Sequence, residues 1–458
     1  MVKTILDLKK TPVFYNKVRD LLNYCLKNRQ AGIESDAFPI IAFINSASQE
    51  PKFSEKWSGI EVYDMLIHSI ETFLEENQSV NPPVEEQMAT EFIERFQSLL
   101  SQNLAEYWLI FPLMRAEIDN LVQFADFIVI PEKFKREEKI DYLANLISIS
   151  KDEMNFRAKH TEKSRSPNFY DYTLFCHKVC HYPSWVSTNA AHIALLDVAL
   201  LRTITNSINL TDQKPYGLII EDRREINKHV LIHTKEPTNW GHEPFWSNEH
   251  STVVSGDLGW LQNADQQLKF VELVKLCGYD KKVDRLAFRI RRSIQFFSKS
   301  IDIQLGNHRS TEGFALELLH LMISAEGLLL ERENEKRLRL AVLLSRLVQV
   351  KGKMSKEIYG AINDIYNWRS DYVHEGNDVF PEYDEDYKEG ETLQKIYLLR
   401  YVISRFLTDS NKWIQISESR SQRSADDQSS VKTLEKAWFK YLDEIWDGIL
   451  SGEEITPN

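Results

Sequence analysis

Residues 369–374 read Arg-Ser-Asp-Tyr-Val-His. A guanidinium is permanently charged. An imidazole near its protonation midpoint can give or take a proton around neutral pH. The apolar stripe Ile358, Ile362, Ile365 and Tyr366 predicts a helix over 356–375, and Gly376 is a natural stop just past its last turn. His374 is then expected at the negative end of the helix dipole, which favours the imidazolium. Five residues apart on a straight helix, Arg369 and His374 point roughly 140° away from each other, because each residue turns about 100°. Two copies of the helix meeting across a twofold axis would gather both residue types around one cleft. Ser370 and Asp371, four and three residues before His374, could sit on the histidine's face and hold the ring. The plain alternative is a helix cap in which Arg369 and His374 bond exposed carbonyls.

Three further groups of residues could bind or react. Arg285, Arg289 and Arg292 recur at four and three residue spacing, so they line one helix face, either as an RNA-binding strip or as an ordinary solvated face. Between residues 285 and 353 there are thirteen Lys or Arg against seven Asp or Glu, in a chain whose formal net charge is −12. That local reversal is where an anionic ligand is expected, whereas the overall charge argues against nonspecific coating of DNA. Cys176, His177, Cys180 and His181 offer four metal-ligand types in six residues, and on a helix Cys176 with Cys180, or His177 with His181, would share a face. No second cysteine pair completes a tetrahedral zinc site, so no metal is expected. Trp240, Phe245 and Trp246 could stack bases or cover a loop edge.

Stepping outward to the elements, helical spacing covers 16–28, 61–75 and 190–208, and short apolar runs at 38–45 and 127–130 suit buried strands. A strand pair is expected over 216–220 and 228–234, a loop over 159–167, and an irregular surface loop over 235–257. From about residue 284 the pattern becomes helical: 284–304, 311–330, 334–348, 356–375 and 393–407 each carry an apolar stripe between short turns, as in an antiparallel bundle. An acidic loop is expected over 381–391. Residues 417–430, mostly Ser, Gln, Arg and Asp, read as a flexible tether before an amphipathic helix over 431–450. The expected class is therefore mainly α: a mixed α+β N-terminal region over 1–280, a helical bundle over 281–415, and the tether and last helix over 416–458.

At the level of these elements the chain resembles a known family. An Arg-x-x-x-x-His motif at a helix end in an all-helical bundle is similar to the HEPN superfamily, and more narrowly to the ApeA-like HEPN domains of bacterial defence proteins. The segment 323–330, Ile-Ser-Ala-Glu-Gly-Leu-Leu-Leu, followed by the basic run that holds Arg337 and Arg339, resembles that group's glutamate-bearing helix and the helix after it. The likeness covers roughly 284–410. It implies a dimeric, metal-independent, cofactor-free endoribonuclease that leaves 2′,3′-cyclic phosphate ends on tRNA or single-stranded RNA. His374 would be the acid or base, Arg369 the charge stabiliser, Ser370 the polar neighbour and Glu326 the carboxylate that orients Arg369. Anti-phage defence by abortive infection, with a phage-derived trigger, belongs to the same implication. Members paired with nucleotidyltransferase antitoxins usually carry a tyrosine two residues after the histidine, where this chain has Gly376. The competing classes are an HEPN module that holds RNA or a nucleotide without cutting, and a dimerisation scaffold. Glu326 and Arg337 also admit a bland reading as a structural pair.

Composition bounds these readings. The chain has 458 residues, 43% apolar and 27% charged, which suits a globular protein of several domains. Its longest nearly apolar runs, 194–201 and 338–344, are broken by a charge and fall far short of the roughly 18 residues that span a bilayer. The first ten residues mix charge into their apolar positions, unlike a secretory leader. Four scattered cysteines suit a reducing compartment, so a cytoplasmic location is expected.

Overall fold

The computed structural model describes residues 12–28, 66, 69–70, 72–77, 80–101, 105–164, 168–181, 183–208, 229–235, 240–244, 253–278, 285–307, 311–331, 336–375, 388–426 and 433–451. It is mostly helical with one small, mainly antiparallel sheet. Helices α1 (Pro12–Asn28) and α2 (Glu86–Ser101) precede strand β1 (Ala105–Glu117), and the sheet is completed by β2 (Val122–Phe124), β3 (Phe127–Ile130), β4 (Thr173–His181), β5 (His229–His233), β6 (Gly241–Pro244) and β7 (Val253–Asp257). Its order is β2-β3-β4-β1-β5-β6, with β7 pairing parallel to the far end of β1 past a register shift at Arg115, whose φ is 54°. Between these strands lie α3 (Arg136–Ile147), α4 (Lys151–Ser164) and the long α5 (Pro183–Ile208). The sequence of β1 is nearly all apolar because both its faces are covered. Leu109, Phe111 and Leu113 enter the main core, and Ile110 enters a second one. The same alternation sends Phe175 to the first core and Leu174 and Cys176 to the second. Helices α3 and α4 contribute Ile140, Leu143 and Met154 to that second core.

Past α6 (Ala264–Cys277) the elements among the described residues are all helices: α7 (Arg285–Asn307), α8 (Thr311–Leu329), α9 (Lys336–Leu347), α10 (Ser355–Glu375), α11 (Lys388–Thr408), α12 (Ser410–Asp426) and α13 (Leu434–Ser451). All five bundle helices expected from periodicity are present within a few residues. The main core does not stop near residue 280: it takes in Leu21, Leu109, Leu200, Ile290, Leu399 and Trp438 alike. Arg202 of α5 donates to Asp302 Oδ1 of α7 at 2.8 Å and to Ser298 Oγ at 2.7 Å, with both charged side chains buried.

Several sequence expectations give way. Residues 159–164, expected in a loop, are the end of α4, where Thr161 is buried against the second core's helices and bonds the Arg157 carbonyl. The surface loop expected over 235–257 holds β6 and β7, because sheet edges recruited segments that have no alternation of their own. The tether expected from 417 is helix as far as Asp426. Ser417 is buried and bonds the Trp413 carbonyl at 2.8 Å, so a polar composition is carried on a helix anchored by Trp413. Residues 388–391 of the expected acidic loop open α11. The expected strands at 38–45 and 216–220, and the remainder of these loops, lie outside the described residues. Among the described residues no helix is long and apolar enough to cross a membrane.

Two predictions test this packing. Asp302→Ala strands the Arg202 guanidinium in the core, and the loss of one partner of a buried ion pair is expected to cost about 3–5 kcal/mol in urea unfolding. In β5, burial and the neighbouring Arg157 hold His233 down to a pKa of about 3, against an ordinary value of 6.5. Its stabilising contribution is thus complete above about pH 6.5 and is lost as the pH falls towards 3, at about 1.4 kcal/mol per unit. His233→Gln is expected to remove that slope between pH 6.5 and 5, read as the change in unfolding free energy.

Candidate active site

The Arg369 end of α10 meets the C-terminal part of α8. Burial raises the Glu326 carboxyl above the usual carboxylate range, and the positive charges of Arg369 and Lys336 pull it back. Glu326 Oε1 and Arg369 Nε are both buried and make no hydrogen bond among the described residues. Arg369 stands with its guanidinium carbon 5.7 Å from the centre of the Tyr366 ring, one turn earlier on the same helix.

The backbone of α10 is unbroken helix from Ser355 through Glu375, so positions 369 and 374 lie roughly 140° apart around its axis. Ser370 is half-buried beside Arg369. The side chains of Asp371 and His374, and Gly376, lie outside the described residues. Arg337 on α9 is exposed and donates to Asn367 Oδ1 of α10 at 2.5 Å. No ion pair joins Glu326 to Arg337 among the described residues, and Lys336, next to it in sequence, is the α9 cation whose charge bears on the carboxyl.

Glu326 also borders a cleft of about 560 Å³ between α7, α8, α9 and α13, lined in part by Arg285, Arg289, Arg292, Phe288, Phe296 and Lys336. The helical spacing of the arginines does place all three on it. They are not equivalent. Arg285 is 84% exposed, whereas Arg289 is tied down: its Nε donates to Glu435 Oε1 at 2.6 Å and its Nη1 to the Gly327 carbonyl at 2.9 Å. Arg292 lies over the Phe296 ring at 5.6 Å. Sequence reasoning missed Lys336, Phe296 and Glu435. Phe296 follows Arg292 by one turn and was within reach of the same periodicity, but Glu435 arrives from a helix remote in sequence and has no local signal.

The cleft depends on a close approach of α7 and α8. Ser324 Oγ donates to the Ser293 carbonyl at 2.7 Å, and a Cβ added at Gly327 would lie 3.2 Å from Ser293 Oγ. Small residues let the two backbones near each other, and the exposed Gly327 carbonyl is then available to Arg289.

The other candidate groups stand elsewhere. Cys176–His181 is strand β4, not helix, so Cys176 and Cys180 alternate with His177 and His181 across the two faces of the sheet. His177 Nδ1 is bonded to Asp197 Oδ2 at 2.7 Å in the core, and burial pushes the Cys176 thiol up, away from the thiolate a metal would need. Among the described residues no three His, Cys, Asp or Glu are grouped to hold a metal ion. Trp240 stacks on His233 with centroids 6.3 Å apart, beside Arg157; Phe245 and Trp246 lie outside the described residues.

Replacing Gly327 by Leu forces branched carbons against Ser293 and is expected to destabilise the chain by about 1–3 kcal/mol in denaturant unfolding, with the indole fluorescence of Trp438 on the neighbouring helix shifting towards the solvent-exposed value. In comparisons of this chain, no family model, no curated protein and no solved structure matches it.

Proposed function

We propose that the chain is a metal-independent endoribonuclease of the HEPN type, working in the cytoplasm as a homodimer in anti-phage defence by abortive infection. One observation carries the reading: Glu326 on α8 and Arg369 on α10 are near enough for the positive charge of the arginine to bear on the carboxyl, and each keeps a buried polar atom without a hydrogen bond among the described residues, which supports a glutamate able to orient the arginine. The cleft beside it supports the reading, because guanidinium groups and aromatic rings are what a single RNA strand recruits, the first for its phosphates and the second for its bases.

In this reaction the ribose 2′-oxygen attacks the adjacent phosphorus and its proton passes to a base. The bond from phosphorus to the 5′-oxygen breaks, and the leaving oxygen takes a proton from an acid. The products are a 2′,3′-cyclic phosphate and a 5′-hydroxyl. Arg369 neutralises charge on the non-bridging oxygens, and His374 carries the proton. Because positions 369 and 374 lie on different sides of α10, a second copy of the helix across a twofold axis, as a homodimer would supply, gathers both residue types around one cleft.

The test is cleavage of bulk tRNA and of a long single-stranded RNA in excess EDTA, with product ends identified and the oligomeric state measured alongside. Wild type is expected to yield cyclic-phosphate ends, His374→Ala to lose about 10²–10⁴-fold, and Arg369→Ala about 10²–10³-fold. Cutting that survives His374→Ala, or that needs a divalent ion, overturns the assignment. Retention of RNA without cutting by wild type favours the binding-module class.

A further inference from the structure

Helix α13 brings a carboxylate into the cleft that it closes. Glu435 stands in its first turn, with Oε1 against Arg289 Nε at 2.6 Å and Oε2 3.7 Å from Arg285 Nη1. Two oxygens of one anion thus meet two guanidiniums, the arrangement by which paired arginines hold two oxygens of a phosphate. Glu435 is 12% exposed and Arg285 84%, so the seat opens to solvent on the Arg285 side. Arg292, Lys336 and the Phe296 ring line the same cleft, and it runs on to Glu326, the neighbour of Arg369.

Docking of α13 does not require this contact. The Trp438 indole donates to the Leu328 carbonyl at 2.8 Å, Asp443 pairs with Arg339, and Trp438 and Leu442 are fully buried. Glu435 is therefore an anion placed among cations that open onto a cleft, on a helix held by other means.

We infer that Glu435 is an intramolecular stand-in for a backbone phosphate of single-stranded RNA. It fills the Arg285–Arg289 seat in the free chain, and a strand entering the cleft takes the two guanidiniums over from it. The inference shares the RNA ligand with the proposed function but not the cutting step. Releasing the arginines raises both the affinity for RNA and its dependence on salt, since each newly neutralised phosphate on a single strand adds about 0.7 to the slope of log affinity against log salt.

The experiment uses the full chain with His374→Ala, so that the ligand is not consumed, and a fluorescent twelve-nucleotide oligouridylate followed by anisotropy across a salt series. Adding Glu435→Gln is expected to tighten binding about 10-fold at 0.1 M salt and to steepen the slope by about 0.7 to 1.4, one or two phosphates' worth. Adding Arg289→Gln as well should cancel the gain. Glu435→Asp, which withdraws the carboxylate by one methylene, should give a smaller gain in the same direction and stands in if the glutamine variant fails to fold by circular dichroism. Unchanged or weaker binding in both Glu435 variants, or a gain that survives Arg289→Gln, overturns the inference and leaves Glu435 as a charge at a helix start. If wild type cuts no RNA and Glu435→Gln still binds the strand more tightly, the nuclease reading falls and this one stands. If RNA is cut and affinity is indifferent to Glu435, the reverse holds.

Discussion

From Leu196 to Ser207 helix α5 is covered on almost every side, and a helix so covered must find a partner for each polar group it carries. One flank lies against β1, β5 and β7, the other against α7 and α11. Asp197 is held by His177 of β4, Arg202 by Ser298 and Asp302 of α7, and Thr205 by the Trp260 indole at 3.1 Å. Thr203, Asn206 and Ser207 return to carbonyls of their own helix. These bonds are directional, so they set where the sheet and the bundle stand relative to α5, which apolar contact alone would leave loose. Gly256 of β7 completes the fit, since a Cβ there would come within 2.8 Å of Thr205 Cγ2.

The bundle inherits its placement from this wall. Helix α7 is tied to α5 by Arg202 and to α8 by the contact at Ser293, Ser324 and Gly327. Helix α8 in turn is fastened to α11 by the buried pair Glu317 and Arg400, whose Coulomb attraction opposes the rise that burial imposes on the Glu317 carboxyl. With α8 held from two sides, the backbone that carries Glu326 is fixed against α7 and α11.

The cleft shows the opposite character. Its cations are only partly paired, its rings only partly covered, and one of its walls is the last helix of the described chain. Glu435 reduces the positive field that Arg285, Arg289, Arg292 and Lys336 would otherwise present, which moderates attraction of any polyanion until one arrives that competes for the guanidiniums.

Periodicity alone determined the helices of the bundle, strand 127–130 and the single face shared by Arg285, Arg289 and Arg292, because each depends only on residues a few positions apart. The helix that carries 369–374 was legible for the same reason. Tertiary structure decided the rest. Whether residues 176–181 form strand or helix turned on partners in β1 and β3, which no local pattern contains. Whether a polar stretch such as 417–426 is tether or helix turned on the anchoring of α12 by Trp413. That the charge of Arg369 bears on Glu326, and that Glu435 meets Arg289 across 146 positions, depends on how helices cross, which is set by the sizes of the side chains where they meet and not by order along the chain.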